Sequence, residues 1–134
     1  MSMRRKTLLL LCLALLLSLC AACSRQSGWL YDLPNGYAIR CADGKVDVTQ
    51  NGEQALAEGV AAFCVGERFV GIQQTCETDD GKTERNWFLL DTENSVFYTS
   101  ANEEEYIADC ESFGVTDLGD WIPTDKAPSG SHAA

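Results

Sequence analysis

The sequence predicts a mainly β fold: an antiparallel meander of about seven short strands with one C-terminal amphipathic helix, an α+β arrangement. Three observations predict it. Apolar and polar residues alternate over short runs, turn dipeptides such as Asn-Gly and Asp-Gly separate these runs, and a helical period appears once, after residue 100. Because strands and helices do not alternate along the chain, a parallel nucleotide-binding sheet is not expected.

The predicted strands follow one another from residue 29, joined by short turns. The turns are expected at Pro34–Gly36, Asp43–Gly44, Gly66–Glu67, Thr78–Lys82 and Thr92–Asn94. The polar stretch 49–58 predicts a loop or a weak helical turn. The run Glu84–Asp91 has apolar residues on both faces, which predicts a central strand.

The clearest predicted hairpin joins residues 60–65 to residues 68–76 through Gly66 and Glu67. A two-residue loop of this kind pairs Val65 with Arg68 across the turn. In that register Cys64 and Cys76 point to opposite faces of the sheet, so they are not expected to bond with each other.

A single helix is predicted over residues 101–113. Ser100 and Glu103 have the spacing of a capping box, acidic residues fill the first turn, and Gly114 suits the position after the last turn. The apolar residues at helical spacing are Tyr106, Ile107, Cys110 and Phe113. The compact domain is expected to span residues 29–122, with Val115, Leu118 and Trp121 covering the sheet. Residues 123–134 are expected to form a flexible tail.

The N-terminus has the order of a secretory signal over residues 1–22. Arg4, Arg5 and Lys6 precede an apolar run over residues 7–19, which is shorter than the roughly 20 residues of a membrane-spanning helix. Small residues then lead to Cys23. The sequence predicts cleavage between Ala22 and Cys23.

The cleavage junction resembles the bacterial lipobox, in which the first mature cysteine carries a lipid. Ala21, Ala22 and Cys23 match the pattern, whereas Cys20 stands where leucine is usual. The resemblance implies diacylglycerol on Cys23 and a tether over residues 23–28. The expected location is the cell membrane, with the domain lipid-anchored and facing outside the cytoplasm. The alternative is a secreted protein in which Cys23 is unmodified.

The part of the chain after the predicted cleavage site is strongly acidic. It contains all 20 acidic residues but only seven of the ten basic ones, a net charge of −13. Such a body repels both nucleic acid and anionic headgroups. We therefore expect no nucleic-acid partner, and expect the acyl chains alone to hold the protein at the membrane.

Four cysteines remain in the predicted domain after the signal and the lipidated residue are set aside. They are Cys41, Cys64, Cys76 and Cys110. An even number in an oxidising compartment favours at least one disulfide, and the pairing stays open. The alternative is four buried thiols that act as small apolar groups. The chain has no Cys-x-x-Cys spacing and its one histidine, His132, lies in the predicted tail, so no metal site or cofactor is expected.

The region from Leu33 to about Gly119 resembles a class of small uncharacterised bacterial lipoproteins. The matching features are Leu-Pro-Asn-Gly-Tyr37, Trp-Phe-Leu-Leu-Asp91, and Glu-Glu-Glu-Tyr106 at the start of a helix. The resemblance implies a compact β-meander domain on a lipid anchor. It implies no activity and no catalytic residue.

These features favour a non-catalytic envelope module that binds a protein, a peptide or a wall component. No enzyme activity is predicted, because nucleophilic catalysis lacks a histidine in ordered structure. The alternatives are a small solute- or ion-binding lipoprotein and a carboxylate-dependent enzyme. Aromatic side chains are the functional lead, either as core or as a binding surface. They are Trp29, Tyr31, Tyr37, Trp87, Phe88, Phe97, Tyr98 and Trp121.

Overall fold

The computed structural model describes residues 28–134. The proposed signal peptide and the residues Ala22 and Cys23 lie outside the described part. The strands are β1 (Trp29–Asp32), β2 (Tyr37–Ala42), β3 (Lys45–Gln50), β4 (Glu53–Leu56), β5 (Val60–Val65), β6 (Phe69–Glu77), β7 (Thr83–Asp91), β8 (Val96–Ser100), β9 (Ile122–Pro123) and β10 (His132–Ala133). A 3₁₀ turn spans Pro34–Gly36, and the helix α1 spans Glu103–Ser112.

The strands form two five-stranded antiparallel sheets. The first sheet has the order β10-β1-β2-β3-β4, and the second has the order β8-β7-β6-β5-β9. The prediction of a mainly β, antiparallel fold with one helix is therefore confirmed. Each sheet contains a meander of four consecutive strands, and the chain passes from the first sheet to the second between β4 and β5. The strand β4 lies within the stretch predicted as a loop.

Tight turns fix the register of the first sheet. Asp43 and Gly44 join β2 to β3 with φ angles of 53° and 73°, and Asn51 and Gly52 join β3 to β4 with φ angles of 51° and 86°. Two successive positive φ values define a type I′ turn, whose twist matches that of the flanking strands. Asn51-Gly52 thus closes a hairpin, because asparagine and glycine both tolerate the left-handed region.

The main core lies between the two sheets. It is built from alternate residues of each strand, because successive side chains point to opposite faces. Tyr31 packs edge-on against Phe63, with ring centroids 4.9 Å apart. The core residues with no measurable exposure are Ile39, Val48, Phe63, Val70, Ile72 and Leu90. The prediction that Glu84–Asp91 is central is confirmed, since β7 lies between β6 and β8.

The outer face of the second sheet carries a second apolar cluster. Trp87 and Leu89 of β7 pack there with Tyr106 of α1. The ring of Trp121 contacts the rings of Trp87 and Tyr106, each at a centroid distance of 5.7 Å. Val115 and Leu118 also contact this cluster, as predicted. The domain thus has three layers: the first sheet, the second sheet, and the helix with its following segment.

The helix begins two residues later than the predicted cap. Asn102, not Ser100, is the N-cap residue: its side chain accepts a hydrogen bond from the backbone nitrogen of Glu105 at 2.9 Å. The Glu105 carboxylate in turn accepts from the Ala101 backbone nitrogen at 3.0 Å. Ser100 ends β8 instead, and its hydroxyl donates to Asp109 at 3.1 Å.

The predicted register of the β5–β6 hairpin is also wrong, by two residues. Val65 pairs with Val70, and the Gly66 nitrogen donates to the Phe69 carbonyl at 2.9 Å across a longer turn. Arg68 leaves the strand because its guanidinium forms hydrogen bonds with Asp91. A shift of two residues keeps Phe63 and Cys64 on their predicted faces, whereas a bulge between Val60 and Ala62 brings Val60 into the main core as well. Cys64 accordingly lies on the outer face, opposite to Ile72 and the main core.

The segment predicted as a flexible tail is paired with both sheets. Ile122 and Pro123 pair with β5, and Thr124 is buried, its hydroxyl donating to the Val60 carbonyl at 2.6 Å. The strand β10 pairs with β1, where His132 lies 3.1 Å from the Asp32 carboxylate. This carboxylate raises the pKa of His132. The boundary placed at residue 122 therefore does not describe this structure.

Gly71 of β6 generates the first testable prediction. A Cβ at this position would overlap both the Tyr106 hydroxyl and Cys64 Sγ, and would approach Trp121 to 3.1 Å. We expect Gly71→Ala to lower the free energy of unfolding by about 2 kcal/mol, because a well-packed core resists added volume. The measurement is urea denaturation of both proteins.

The matched control is Gly119→Ala. Gly119 is exposed, has no positive φ, and would place its Cβ no closer than 3.7 Å from a neighbour, the Val65 carbonyl oxygen. This variant should denature within about 0.5 kcal/mol of the parent. Equal stability of the two variants would show that Tyr106 does not pack against β6 as described.

Candidate functional site

A cluster of three aromatic rings lies at the C-terminal end of α1, with one ring exposed and two half-buried. We call Phe69, Tyr98 and Phe113 the aromatic patch. Phe113 stacks on Phe69 with ring centroids 6.3 Å apart and an interplanar angle of 23°, and on Tyr98 with centroids 4.5 Å apart. Phe113 is nevertheless 43% exposed. The patch is therefore an ordered apolar surface, because its rings hold each other in place while one ring remains accessible.

Each ring comes from a different element. Phe69 is the first residue of β6, Tyr98 lies at the centre of β8, and Phe113 directly follows α1. Gly114, with a φ of 66°, ends the helix in the left-handed conformation, and the Val115 nitrogen donates to the Cys110 carbonyl at 2.9 Å. This C-terminal cap turns the chain and positions Phe113 over the sheet.

The electrostatic environment of the patch is negative. The last turn of α1 contains no basic residue, although Asp109 and Glu111 lie within it. The C-terminal end of a helix carries a partial negative charge, which basic side chains commonly offset. Asp117 adds a further carboxylate next to the β5–β6 turn, where it accepts from the Glu67 nitrogen at 2.8 Å. A cation is therefore the charge that this end of the domain attracts.

One ring of the patch already carries a cation. The Arg68 guanidinium lies 4.9 Å from the centroid of Phe69, within the range of a cation–π interaction. The same guanidinium donates to both Asp91 oxygens, at 2.9 and 2.8 Å, and lies 3.3 Å from Glu93. This geometry demonstrates how the patch accommodates a guanidinium: an aromatic face on one side and carboxylates on the other.

Asp91 is the buried carboxylate that holds the Arg68 guanidinium beside the aromatic patch. It accepts from Arg68 and also from the backbone and side-chain nitrogens of Asn94. These hydrogen bonds, led by that of Arg68, hold the pKa of the Asp91 carboxyl well below its usual range. A carboxylate held ionised in this way suits a structural ion pair rather than proton transfer.

The four cysteines are free thiols in the structure, so the expected disulfide is not present among residues 28–134. Cys64 is buried, with its sulfur 3.7 Å from the Tyr106 hydroxyl, and Cys41, Cys76 and Cys110 are half-buried. Burial raises the pKa of the Cys64 and Cys110 thiols, which lowers their nucleophilicity at neutral pH. The alternative prediction, of thiols that act as small apolar groups, describes Cys64 and Cys110 best.

The aromatic residues singled out in the sequence divide between core and patch. Tyr98 alone belongs to the patch, while Trp87 and Trp121 lie in the outer cluster and Phe88 in the main core. Sequence reasoning missed Phe69 and assigned Phe113 to the apolar face of the helix. The signal available in the sequence was Gly114, which marks the end of the helix. Phe113 directly precedes it and therefore lies where the buried face of the helix ends.

Within residues 28–134, no group of three or more histidine, cysteine, aspartate or glutamate side chains is arranged to hold a metal ion. In the same part of the chain, no helix has both the length and the apolar character needed to cross a membrane. No protein-family model, curated protein or solved structure matches the chain.

The ion pair of Arg68 and Asp91 generates the second testable prediction. We expect Asp91→Asn to lower stability at pH 6 by about 2 kcal/mol, since the variant leaves the guanidinium without its buried anion. The folded-state pKa of Asp91 lies below its unfolded value, so its contribution is complete above about pH 4 and declines as the pH falls further. Denaturation at pH 6 and pH 3 measures both effects.

The difference between parent and variant should therefore be smaller at pH 3 than at pH 6. The control is Glu93→Gln, which removes the exposed second partner of Arg68 and should change stability by less than about 0.5 kcal/mol. A difference for Asp91→Asn that is independent of pH would contradict the assigned ion pair.

Proposed function

We propose that this chain is a non-catalytic, lipid-anchored module of the bacterial cell envelope that binds a cationic segment of another envelope protein or peptide. The single observation that supports the binding role is the ordered exposure of Phe113 at the negative end of α1. Exposed aromatic side chains contribute much binding area at little entropic cost.

Charge complementarity identifies the proposed occupant. The domain has a net charge of −13 after the proposed cleavage site. Three basic side chains are already engaged within the fold: Arg40 with Asp47 at 2.6 Å, Arg68 with Asp91, and Lys45 with Glu58 at 3.6 Å. A partner rich in lysine or arginine therefore meets unpaired acidic charge, and its long-range attraction raises the rate of encounter.

The Arg68–Phe69 contact supplies the local chemistry of recognition. We propose that an arginine of the partner stacks on Phe113 as Arg68 stacks on Phe69, with the carboxylate of Asp109, one helical turn before Phe113, as the anion. Arginine suits this role better than lysine because its planar guanidinium stacks on aromatic rings and is weakly hydrated.

The lipid anchor rests on the Ala22–Cys23 junction and on its resemblance to the lipobox. The tether over residues 23–28 ends where β1 begins at Trp29. We propose that this arrangement holds the domain within a few nanometres of the bilayer, where its partner is also confined to the envelope.

Removing the exposed ring tests the binding role. We expect Phe113→Ala to weaken binding of a fluorescent hexa-arginine peptide about tenfold, because a partly desolvated cation–π contact contributes about 1.4 kcal/mol. Fluorescence anisotropy in 150 mM salt checks this value. Because Phe113→Ala also loses the contacts with Phe69 and Tyr98, thermal denaturation is used to verify that the variant is folded at the temperature of the assay.

The control for this experiment is Ile107→Ala. Ile107 is 46% exposed on the same helix and lies outside the aromatic patch, so its removal should leave the affinity unchanged. If Phe113→Ala binds the peptide as tightly as the parent, the attraction is due to net charge alone and the patch is not the binding site.

Mass spectrometry of the mature protein tests the anchor. We expect an N-terminal cysteine that is heavier by a diacylglycerol group, and we expect Cys23→Ser to lose both this mass and membrane sedimentation. Cys20→Ser is the matched control, because Cys20 lies in the proposed signal and its variant should be lipidated normally. An unmodified Cys23 in the processed parent would refute the proposal.

A further inference from the structure

A cleft of about 520 Å³ lies where the first and second sheets meet, away from the aromatic patch. Its walls include Lys45 and Val46 of β3, Val60 of β5, and Cys76 and Glu77 of β6. The volume falls within the range of small-molecule sites, about 300–1,000 Å³. None of the residues of the patch lines it, so the cleft is a separate feature of the domain.

Hydrogen bonds of the β4–β5 connection fix the walls of the cleft. The Gly59 nitrogen donates to the Val46 carbonyl at 2.9 Å, which ties this connection to the first sheet. Gln74 donates from its side chain to the carbonyls of Ala57 and Glu58, at 2.9 and 3.1 Å. The cleft is therefore preformed, which lowers the entropic penalty for a ligand.

Gly59 itself is required by this arrangement. Its φ of 104° lies in the region that side chains rarely adopt, and a Cβ would overlap the Thr75 carbonyl oxygen. The backbone of residues 58–60 thus approaches β6 closely, and Glu58 and Glu77 both line the cleft.

The charges of the cleft favour a cation. Lys45 and Glu58 pair with each other at 3.6 Å, whereas Glu77 makes no ion pair with any residue in the range 28–134. The lining therefore has one excess negative charge. The half-buried Ala61 and Cys76 supply an apolar surface beside this charge, above the buried Val46 and Val60.

We propose that the cleft binds a small organic cation, an ammonium group attached to an apolar body. The ammonium pairs with the exposed Glu77, and the apolar body lies against Ala61 and Cys76. This site goes beyond the proposed binding of a cationic protein segment and does not depend on the aromatic patch.

Cys76 provides a built-in reporter of occupancy. Its half-buried thiol lines the cleft and accepts a hydrogen bond from Asn86 at 3.6 Å. A ligand in the cleft covers this sulfur. Cys41 is also half-buried but does not line the cleft, so it serves as an internal control in the same molecule.

The experiment measures the rate at which a thiol-selective methanethiosulfonate modifies each cysteine of the full-length protein, resolved by peptide mass spectrometry. The probes are 2-phenylethylamine and, as the uncharged match, 2-phenylethanol. We expect the amine to slow modification of Cys76 at least threefold, with saturation near millimolar concentration, and to leave Cys41 unchanged. The alcohol should protect Cys76 much less.

Two variants and one control complete the test. Glu77→Gln should raise the half-saturating concentration of the amine about fourfold. Ala61→Phe should abolish protection of Cys76, because the larger ring fills the cleft. The control is Glu53→Gln, which replaces an exposed acid of β4 and should behave as the parent. Unaltered protection in Glu77→Gln, equal protection by the alcohol, or no protection at all would overturn the proposal. In the Phe113→Ala variant the amine should protect Cys76 as in the parent, so this result is independent of the aromatic patch.

Discussion

The second sheet is the constraint on which the rest of the structure depends, because it must bury both of its faces. Its strands β6 and β7 are the longest in the domain, with nine residues each. One face packs against the first sheet, and the other packs against α1 and the segment that follows it. A sheet with two apolar faces needs a cover on each side. Gly71 lets the outer cover approach, because Tyr106 occupies the space of the missing Cβ.

The same constraint explains why the aromatic patch is exposed. The rings of Trp87, Tyr106 and Trp121 fill the centre of the outer face, where helix and sheet are in full contact. The helix ends near the start of β6, so Phe113 reaches beyond this centre and stacks on Phe69 at the margin. Arg68 occupies that margin as well, held by Asp91. The patch is thus a continuation of the outer core to a place where nothing in residues 28–134 covers it.

Sequence periodicity predicted those features that depend on long, regular patterns, and it failed where short segments depend on contacts made elsewhere. The meander, the central strand and the single helix were predictable because each has enough residues to display its period. The strands β9 and β10 have two residues each, which display no period, and they form only because β5 and β1 offer free edges. The start of the helix was predicted wrongly because Ser100 and Asn102 are both residue types that suit an N-cap. In the structure Ser100 is the last residue of β8, so Asn102 caps the helix. The site was only partly predictable, since periodicity does not reveal where a helix extends beyond its sheet.

The two ends of the described chain lie together at one edge of the first sheet. The Gly28 carbonyl accepts a hydrogen bond from the Ala134 nitrogen at 3.2 Å, next to the pairing of β10 with β1. Six residues from Cys23 to Gly28 reach at most about 18 Å, so a lipid on Cys23, as proposed, would hold this edge of the first sheet close to the bilayer. On the proposed anchor, anionic headgroups would repel this acidic domain. The aromatic patch lies on the far face of the second sheet, with the main core and the first sheet behind it. The surface proposed for binding and the two ends of the described chain therefore belong to different sheets.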